Sequence, residues 1–432
     1  MSRALTIHSA FAARSAALAL IARYGAWVGV AALFVALPLV FRSGTALTMM
    51  SLMGISIVFA LSYNMLLGQT GLLSFGHAVY FGLGAYFAVH CMNAVITGGL
   101  PVPLPVIPLV GGFGGLVFAI MFGWVSTRRS GTAFAMISLG LAELVGSSAL
   151  ILRSFFGGEE GVTTDRTRLP QLFGISFGQQ IEVYYLIAAW CLVCMFLMYR
   201  FTRTPLGRMC NAVRDNTERA QFVGYNPQVV RFFAFCVSGF FAGVAGGLAA
   251  INFEIANSAY FSATQSGTVL LATFIGGSGY FFGPVIGAAL VSYLQVMLSD
   301  ITDIWQLYFG FLFIAMVMFA PQGIAGLLAM HRPLLRRRGP LLKVAGAYAI
   351  ALPPALLMLA GIALIVEMSY RLAVKAAEGP RMSFFTVALG ADRPFAWVSA
   401  GFLTIGGLAL FRISWPVVAN AWASVELRKD AR

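Results

Sequence analysis

Long apolar stretches separated by short polar links run from Tyr24 almost to the end of the chain. Several are about 20 residues long, the length at which a helix crosses roughly 30 Å of hydrocarbon. None shows the strict apolar and polar alternation of a barrel strand. Because lipid offers backbone amides no hydrogen-bond partner, the spans are predicted to be helices. The pattern predicts an all-α, polytopic transmembrane helix bundle of about 10–12 membrane segments.

Lys and Arg in the short links predict which links face the cytoplasm. Four stretches qualify: the N-terminal arm, 127–130, 200–231 and 331–343. An even number of crossings must separate neighbouring basic stretches. This condition is met as far as 231 by the apolar stretches 24–41, 46–67, 72–92, 105–125, 132–152 and 183–199. The link 153–182, which mixes acidic and basic residues, is predicted to be external, and both chain termini are predicted to be cytoplasmic.

Between 231 and 331 only three apolar blocks are found, which violates this parity unless the middle block, 265–298, is broken. Gly276, Gly277, Gly279, Gly283 and Pro284 in "GGSGYFFGP" make a break plausible. The block is therefore predicted to form two short passes or a re-entrant pair. Two further crossings, 344–366 and 396–411, follow the last basic link.

Composition supports a membrane protein: 59% of residues are hydrophobic, 10% are charged and mean hydropathy is +0.86. The formal net charge of +13 does not indicate nucleic acid, because the basic residues are spread over the short links. The five cysteines form no metal-ligand spacing. We expect neither a metal site nor a catalytic site, and we expect the first span to be retained rather than cleaved as a signal peptide.

The stretch "LSYNMLLGQTGLLSFGHAVYFGLGAYF", which begins at Leu61, places Asn64, Gln69 and His77 at membrane depth. Polar groups are costly there and usually face a bundle interior or a water-filled cavity. The glycines are typical of close helix packing. For Gln69 and His77, lining of a solute path and structural hydrogen bonding between helices both remain open; Asn64 is a further path candidate.

The polar stretch 202–235 is too rich in arginine to lie in lipid. Residues 211–223 have helix-forming character, and Gly224 followed by "YNP" is a helix stop signal. One or two small helices are predicted here. A positive-inside loop explains the arginines, whereas a compact helix with Asp215 and Glu218, ended by glycine, favours docking to another protein.

At these residues the chain resembles the LivM type of branched-chain amino acid ABC permease. "YNMLLGQTGLLSFGHAVYFGLGAY" is similar to the signature of that family, and "TPLGRMCNAVRDNTERAQFVGYN" resembles its cytoplasmic loop. "FIGGSGYFFGPVIGAAL" and the region from "LAELV" to "GGEEGV" are similar to two further family segments. The four motifs keep their order, and the resemblance covers roughly 46–328.

The resemblance implies an inner-membrane permease subunit of a bacterial importer, with short broken or re-entrant helices. Its implied partners are a homologous LivH-type permease, two cytoplasmic ATPases and a periplasmic solute-binding protein, and ATP and Mg would be bound by the ATPases. The predicted domains are 1–45 (arm and first helix), 46–330 (core permease with coupling loop 200–231) and 331–432 (basic linker and accessory transmembrane hairpin). Residues 340–432 exceed the family core, and packing against another subunit is the alternative to an accessory hairpin. The implied coupling residues are Arg208, Arg214, Asp215, Glu218, Ala220 and Gly224.

No G-x-x-x-x-G-K-[ST] motif, and no Gly-Lys pair, occurs in the sequence. A Walker-type phosphate-binding loop is therefore missing, and the chain is predicted to be a transport subunit rather than an enzyme. ATP hydrolysis would have to come from partner subunits.

An ion-coupled secondary transporter of amino acids is the main alternative. It would need a membrane carboxylate, for which Glu143 is the best candidate, although capping or hydrogen bonding near the membrane face explains Glu143 as well. Gly146, Ser258 and Ala259 depart from the pattern of the family and leave the solute open. Glu254 has no assigned role at this level.

Overall fold

The computed structural model describes residue 25 and the ranges 27–98, 101–171, 174, 176–335, 338–374, 381–384, 387–390 and 392–430. The N-terminal arm before residue 25 lies outside them. Within the described residues the chain is almost entirely helical. Its helices are α1 (Trp27–Val40), α2 (Gly44–Thr70), α3 (Ala78–Ile96), α4 (Ile107–Ser126), α5 (Thr132–Ile151), α6 (Arg153–Phe156), α7 (Gln180–Thr202), α8 (Pro205–Asp215), α9 (Thr217–Phe222), α10 (Pro227–Phe253), α11 (Ala263–Gly276), α12 (Gly283–Ser299), α13 (Trp305–Phe319), α14 (Gly323–Leu335), α15 (Arg338–Ala373) and α16 (Pro394–Asp430).

Two short antiparallel strand pairs complete the described secondary structure. β1 (Val162–Thr163) pairs with β2 (Ile255–Ala256), and β3 (Arg381–Phe384) pairs with β4 (Val387–Gly390). Three short 3₁₀ turns lie at Leu104–Val106, Arg166–Arg168 and Ser258–Phe261.

Eight helices in the described part of the chain are long and apolar enough to cross a membrane, or up to nine if a bent pair is one span. That pair is Trp305–Phe319 with Gly323–Arg332, and Trp27–Val40 and Gly283–Ser299 are shorter apolar helices. The prediction of an all-α polytopic bundle is confirmed. The number of crossings depends on whether the short helices span, and it stays a prediction.

Helix α10 lies at the centre of the packing, against α2, α3 and α4. Glycine makes this approach possible: a β-carbon at Gly84 would overlap the backbone of Gly243 on α10, and one at Gly115 would overlap the Gly239 carbonyl oxygen. Where lipid is as apolar as the side chains, close backbone contact of this kind is a main source of helix association. The glycines of the Leu61 stretch therefore contribute to helix packing.

The block 265–298 is broken as the sequence predicts. α11 ends at Gly276 and α12 begins at Gly283, and the two helices pack against each other. A β-carbon at Gly283 would overlap Gly276, and one at Gly287 would overlap Ala272. The residue four positions later on α12 therefore contacts the residue four positions earlier on α11. This order shows that α11 and α12, of 14 and 17 residues, form an antiparallel hairpin.

Aromatic contacts show which helix ends lie together. The ring of Trp27, at the start of α1, lies 5.5 Å from the ring of Tyr199, near the end of α7. Tyr199 in turn lies 5.3 Å from Phe281, between α11 and α12. We call the end of the bundle that contains Trp27, Tyr199 and Phe281 the coupling end, because α8 and α9 follow α7 directly there. Tryptophan and tyrosine are enriched at membrane interfaces, which agrees with this placement.

Contacts divide the chain into two compact units, Met1–Leu327 and Leu328–Arg432. The predicted division into core permease and accessory segment, after residue 330, stays a prediction. In the second unit α15 and α16, of 36 and 37 residues, pack against each other and contain both predicted crossings. The β3–β4 hairpin between them was not predicted from sequence.

Candidate functional site

The coupling loop contains two short helices with conventional caps. Thr204 Oγ1 accepts a hydrogen bond from Gly207 N, and Pro205 occupies the first turn of α8. Asn216 is extended (φ −156°) and ends α8, while its Oδ1 accepts a hydrogen bond from Arg219 N at 2.9 Å and so caps α9. The prediction of one or two small helices is confirmed, and there are two. The predicted single helix over 211–223 is wrong, because extended Asn216 divides it and places Asp215 on α8 and Glu218 on α9.

The inner side of the loop is apolar. Cys210, Val213 and Ala220 are buried in one small cluster with Val230 and Ala234 of α10. Burial raises the pKa of the Cys210 thiol to about 12, so the thiol stays protonated and unreactive at neutral pH. Ala220, predicted as a coupling residue, is only 4% exposed and fastens α9 to the bundle.

The outer side of the loop presents apolar side chains to solvent. Phe222 is 90% exposed, Val223 69% and Tyr225 45%. Arg208, Asp215 and Glu218 of the same loop are also exposed. A highly exposed phenylalanine outside the membrane spans is typical of a protein-docking surface. We call Phe222, Val223 and Tyr225 the docking patch.

The sequence analysis missed the docking patch, although a signal was present. Ala220 and Phe222 are two positions apart on α9, and residues two apart lie on nearly opposite sides of a helix. Since Ala220 faces the bundle, Phe222 faces away from it.

Gln69, a predicted path residue, contacts the coupling loop. Asn211 Nδ2 on α8 donates to Gln69 Oε1 at 3.0 Å. Arg214 Nη1, also on α8, donates to the carbonyl oxygen of Gly68. The "GQTG" turn at the end of α2 is therefore bound directly to α8.

His77 and Asn64 lie inside the subunit, at 1% and 2% exposure. His77 Nε2 and Ser62 Oγ are 3.0 Å apart, and the imidazole stacks on the ring of Phe59 with 5.5 Å between centroids. Asn64 Oδ1 has no hydrogen-bond partner among the described residues. The solute-path role predicted for both remains a prediction, and the burial of His77 favours the interhelical alternative.

Glu143 is exposed near the middle of α5. No ion pair to Glu143 is found among the described residues. The same helix exposes Met136, Leu144 and Ile151, at 71%, 58% and 77%. A charged side chain turned to lipid at the centre of a span costs about 2.5–3.5 kcal/mol. The position of Glu143 therefore favours a face that turns to a partner subunit or a water-filled path.

A short segment connects the buried side of α5 to α11. Phe75 N donates to Ser138 Oγ on α5 at 3.0 Å, and Ala78 N donates to Ser266 Oγ on α11 at 3.2 Å. Phe75 is 38% exposed between them. The non-helical residues between α2 and α3 thus fix the spacing of α5 and α11.

At the opposite end of the bundle, Glu254 has a structural role. It caps the C-terminus of α10 with φ +56°, and its Oε1 accepts a hydrogen bond from Arg166 N at 3.0 Å. Arg166 Nη1 donates to the carbonyl oxygens of Ile251 and Asn252, where the helix dipole favours a cation. This network and the β1–β2 pair fasten the predicted external loop to α10.

Among the described residues, no group of three or more His, Cys, Asp or Glu side chains is placed to hold a metal ion.

Comparison with known proteins relates this arrangement to a family. The model of the family "Branched-chain amino acid transport system / permease component" matches residues 45–321. The Escherichia coli K12 high-affinity branched-chain amino acid permease LivM is 28% identical over 333 residues, covering 72% of this chain and 76% of LivM. LivM of Salmonella typhimurium is 28% identical over 306 residues, covering 65% and 69%.

LivH permeases are also similar to this chain. LivH of Escherichia coli K12 is 23% identical over 285 residues, covering 62% of this chain and 90% of LivH. No solved structure matches. Since the family model covers more than half of the chain, the chain belongs to the family of branched-chain amino acid transport system permease components.

Proposed function

We propose that this chain is the permease subunit of an ATP-driven importer that moves branched-chain amino acids, or related small polar solutes, across the bacterial inner membrane by alternating access. The main structural support for this proposal is the docking patch, because an exposed apolar surface on a loop outside the membrane spans is typical of a site that binds a partner protein. Family membership supports the same proposal.

The proposed partner at the docking patch is one cytoplasmic ATPase, and a LivH-type permease would bind a second ATPase. Phe222 and Val223 would supply an apolar anchor, and the exposed charges of Arg208, Asp215 and Glu218 on the same loop would add polar contacts. ATP and Mg would bind to the ATPases, because this sequence contains no Walker motif that could bind them. The coupling end would face the cytoplasm, and we propose a cytoplasmic location for both chain termini from the basic residues of the sequence.

The proposed surface for the LivH-type permease includes the exposed face of α5. Glu143 would then border a water-filled path between the two permeases, and Phe75 would lie beside it. A periplasmic binding protein would deliver the solute at the opposite end, where the Arg166 network holds the loop against α10. In this arrangement solute selection rests largely on the binding protein.

Phe222→Asp tests this proposal. The charge should prevent burial of the patch, so the ATPase recovered with the affinity-purified permease should fall at least about tenfold, as expected for a hot-spot aromatic. Ile301→Asp is the matched control, since Ile301 is 76% exposed at the end of the α11–α12 hairpin away from the break. Wild-type ATPase recovery with Phe222→Asp would contradict the docking assignment.

The ion-coupled alternative predicts a different result. Such a transporter would copurify with no ATPase, and proteoliposomes would accumulate solute on an ion gradient without ATP. Uptake that requires ATP and the binding protein would exclude it.

A further inference from the structure

The C-terminus of α2 is the meeting point of two segments that are remote in sequence. Asn211 and Arg214 reach it from α8, and the link between α11 and α12 reaches it through Ser278. We call this contact the joint, and we propose that it transmits motion of the coupling helices α8 and α9 to the α11–α12 hairpin. The joint consists of Gly68, Gln69, Asn211, Arg214 and Ser278. The inference rests on the proposed function, since it assigns the element that the ATPases would move.

The contact of α8 with α2 consists of two hydrogen bonds on neighbouring residues of α2. Asn211 Nδ2 donates to Gln69 Oε1 at 3.0 Å, and Arg214 Nη1 donates to the Gly68 carbonyl oxygen. Asn211 and Arg214 are three positions apart and so share one face of α8. The Arg214 side chain also lies against Gly71, where a β-carbon would be 3.0 Å from its Cγ. Displacement of α8 therefore acts directly on the end of α2.

The contact of α2 with the hairpin is made by backbone. A β-carbon at Gly68 would lie 2.5 Å from the Ser278 carbonyl oxygen, so glycine is required for this approach. Beyond Ser278, Gly277 (φ +107°) lies against the backbone of Gln322 and Gly323, just after α13. Closely packed backbone leaves little room for independent movement, so the link between α11 and α12 should follow the end of α2.

The end of the hairpin away from the joint carries a cleft that is mostly apolar and contains a few polar side chains. The cleft is lined by Thr264 and Thr268 of α11, Gln295 of α12 and Gln306 of α13, beside the apolar side chains of Trp305 and Phe309. The joint lies at the C-terminus of α11 and the N-terminus of α12, and the cleft lies at their opposite ends. If motion at the joint tilts the α11–α12 hairpin, the opposite end of the hairpin moves as well, and the width of the cleft changes.

Buried Asn64 lies beside the joint. A β-carbon at Gly68 would overlap Asn64 Oδ1, and this oxygen has no partner among the described residues. A buried acceptor without a donor is costly in one fixed state. A second position of the hairpin link, with a donor brought to Asn64, would relieve that cost, which agrees with a moving joint.

The experiment uses the complete importer in proteoliposomes, with binding protein and solute. Gln69→Ala and Asn211→Ala should each retain bound ATPase and basal ATP hydrolysis. The solute moved per ATP should fall about fivefold, the effect of losing about 1 kcal/mol of hydrogen bonding from a two-state equilibrium. The double variant should be no worse than either single variant, because all three lose the same bond.

Reciprocal exchange provides the rescue. Gln69→Asn combined with Asn211→Gln keeps the summed length of the two side chains and should restore most of the solute moved per ATP. Gln228→Ala is the matched control, an amide at the start of α10 whose side chain has no hydrogen bond among the described residues.

The outcomes separate the two proposals. Unchanged solute per ATP in both single variants, or additive losses in the double variant, would overturn the joint. A wild-type chain that binds no ATPase would instead overturn the proposed function. If uptake falls only in proportion to the amount of assembled protein, the joint is a packing contact, and the proposal is also overturned.

Discussion

Ser62 of α2 and His77, immediately before α3, are hydrogen-bonded inside a single subunit, with 3.0 Å between Oγ and Nε2. Ser62 Oγ also donates its single hydrogen to the Phe59 carbonyl oxygen, so with that bond made it accepts from Nε2–H of His77. His77 is 1% exposed and in contact with the rings of Phe59 and Tyr63. The pair connects two helices and is buried inside the subunit.

The first prediction is that His77→Leu lowers stability without lowering transport by each assembled complex. Loss of the bond to Ser62 should cost about 0.6 kcal/mol, the average for hydrogen bonds between membrane helices, and the lost ring contact adds to this. Ser62→Ala should have a similar effect, and the double variant should be less than additive. Thermal unfolding in detergent and uptake per assembled complex are the measurements. Reduced uptake in fully assembled His77→Leu complexes would restore the path-lining interpretation.

The second prediction concerns Glu143. If its face of α5 borders the solute path, Glu143→Gln should leave assembly intact and lower uptake per complex by at least about tenfold, as expected when a charged hydrogen-bond partner of about 1.5–3 kcal/mol is lost. The matched control is Glu159→Gln, because Glu159 is an exposed carboxylate in the loop 153–182, at the end of the bundle opposite the coupling end. Radiolabelled solute uptake at constant ATP measures the effect.

Two other outcomes for Glu143 have distinct signatures. Contact with lipid would make Glu143→Gln more stable with unchanged uptake, because an exposed charge at the centre of a span is unfavourable. Contact with the partner permease alone would lower the yield of the two-permease complex while each remaining complex transports normally. Either result would contradict the path assignment.

Local chemistry made part of this structure predictable. The break between Gly276 and Gly283 follows from glycine and proline within an apolar block, and the end of α9 follows from Gly224. These features depend on backbone preferences of a few adjacent residues, which a sequence displays directly.

The neighbours of the polar residues could not be predicted in the same way. α2 is apolar on all sides, so no periodicity shows which way Gln69 faces. Its partner Asn211 is 142 positions away, and only the tertiary fold brings them together. Glu254 likewise became interpretable only when Arg166, 88 positions earlier, was seen to donate to it. The β3–β4 hairpin was missed because strand pairing outside the spans has no hydropathy signal.

The third prediction concerns Gly224, which ends α9 with φ +94°. Gly224 N donates to the Gln221 carbonyl oxygen at 2.8 Å, and Tyr225 N donates to the Ala220 carbonyl oxygen at 3.1 Å. This pair of bonds is the Schellman arrangement, which places a left-handed residue after the helix. A β-carbon at Gly224 would meet no atom of the described residues within 4 Å, so substitution would act through backbone conformation alone.

Gly224→Val should therefore cost about 1–2 kcal/mol in the native turn and release the end of α9. Phe222, Val223 and Tyr225 would lose their fixed positions, so solute uptake and the stimulation of ATP hydrolysis by loaded binding protein should both fall while membrane insertion stays normal. Gly224→Ala should have a smaller effect, because alanine is not β-branched. Gly310→Val is the control: Gly310 also has open space around it, but it lies within α13 and does not have a positive φ. Wild-type uptake and wild-type stimulation in Gly224→Val would show that the turn after α9 does not position the docking patch.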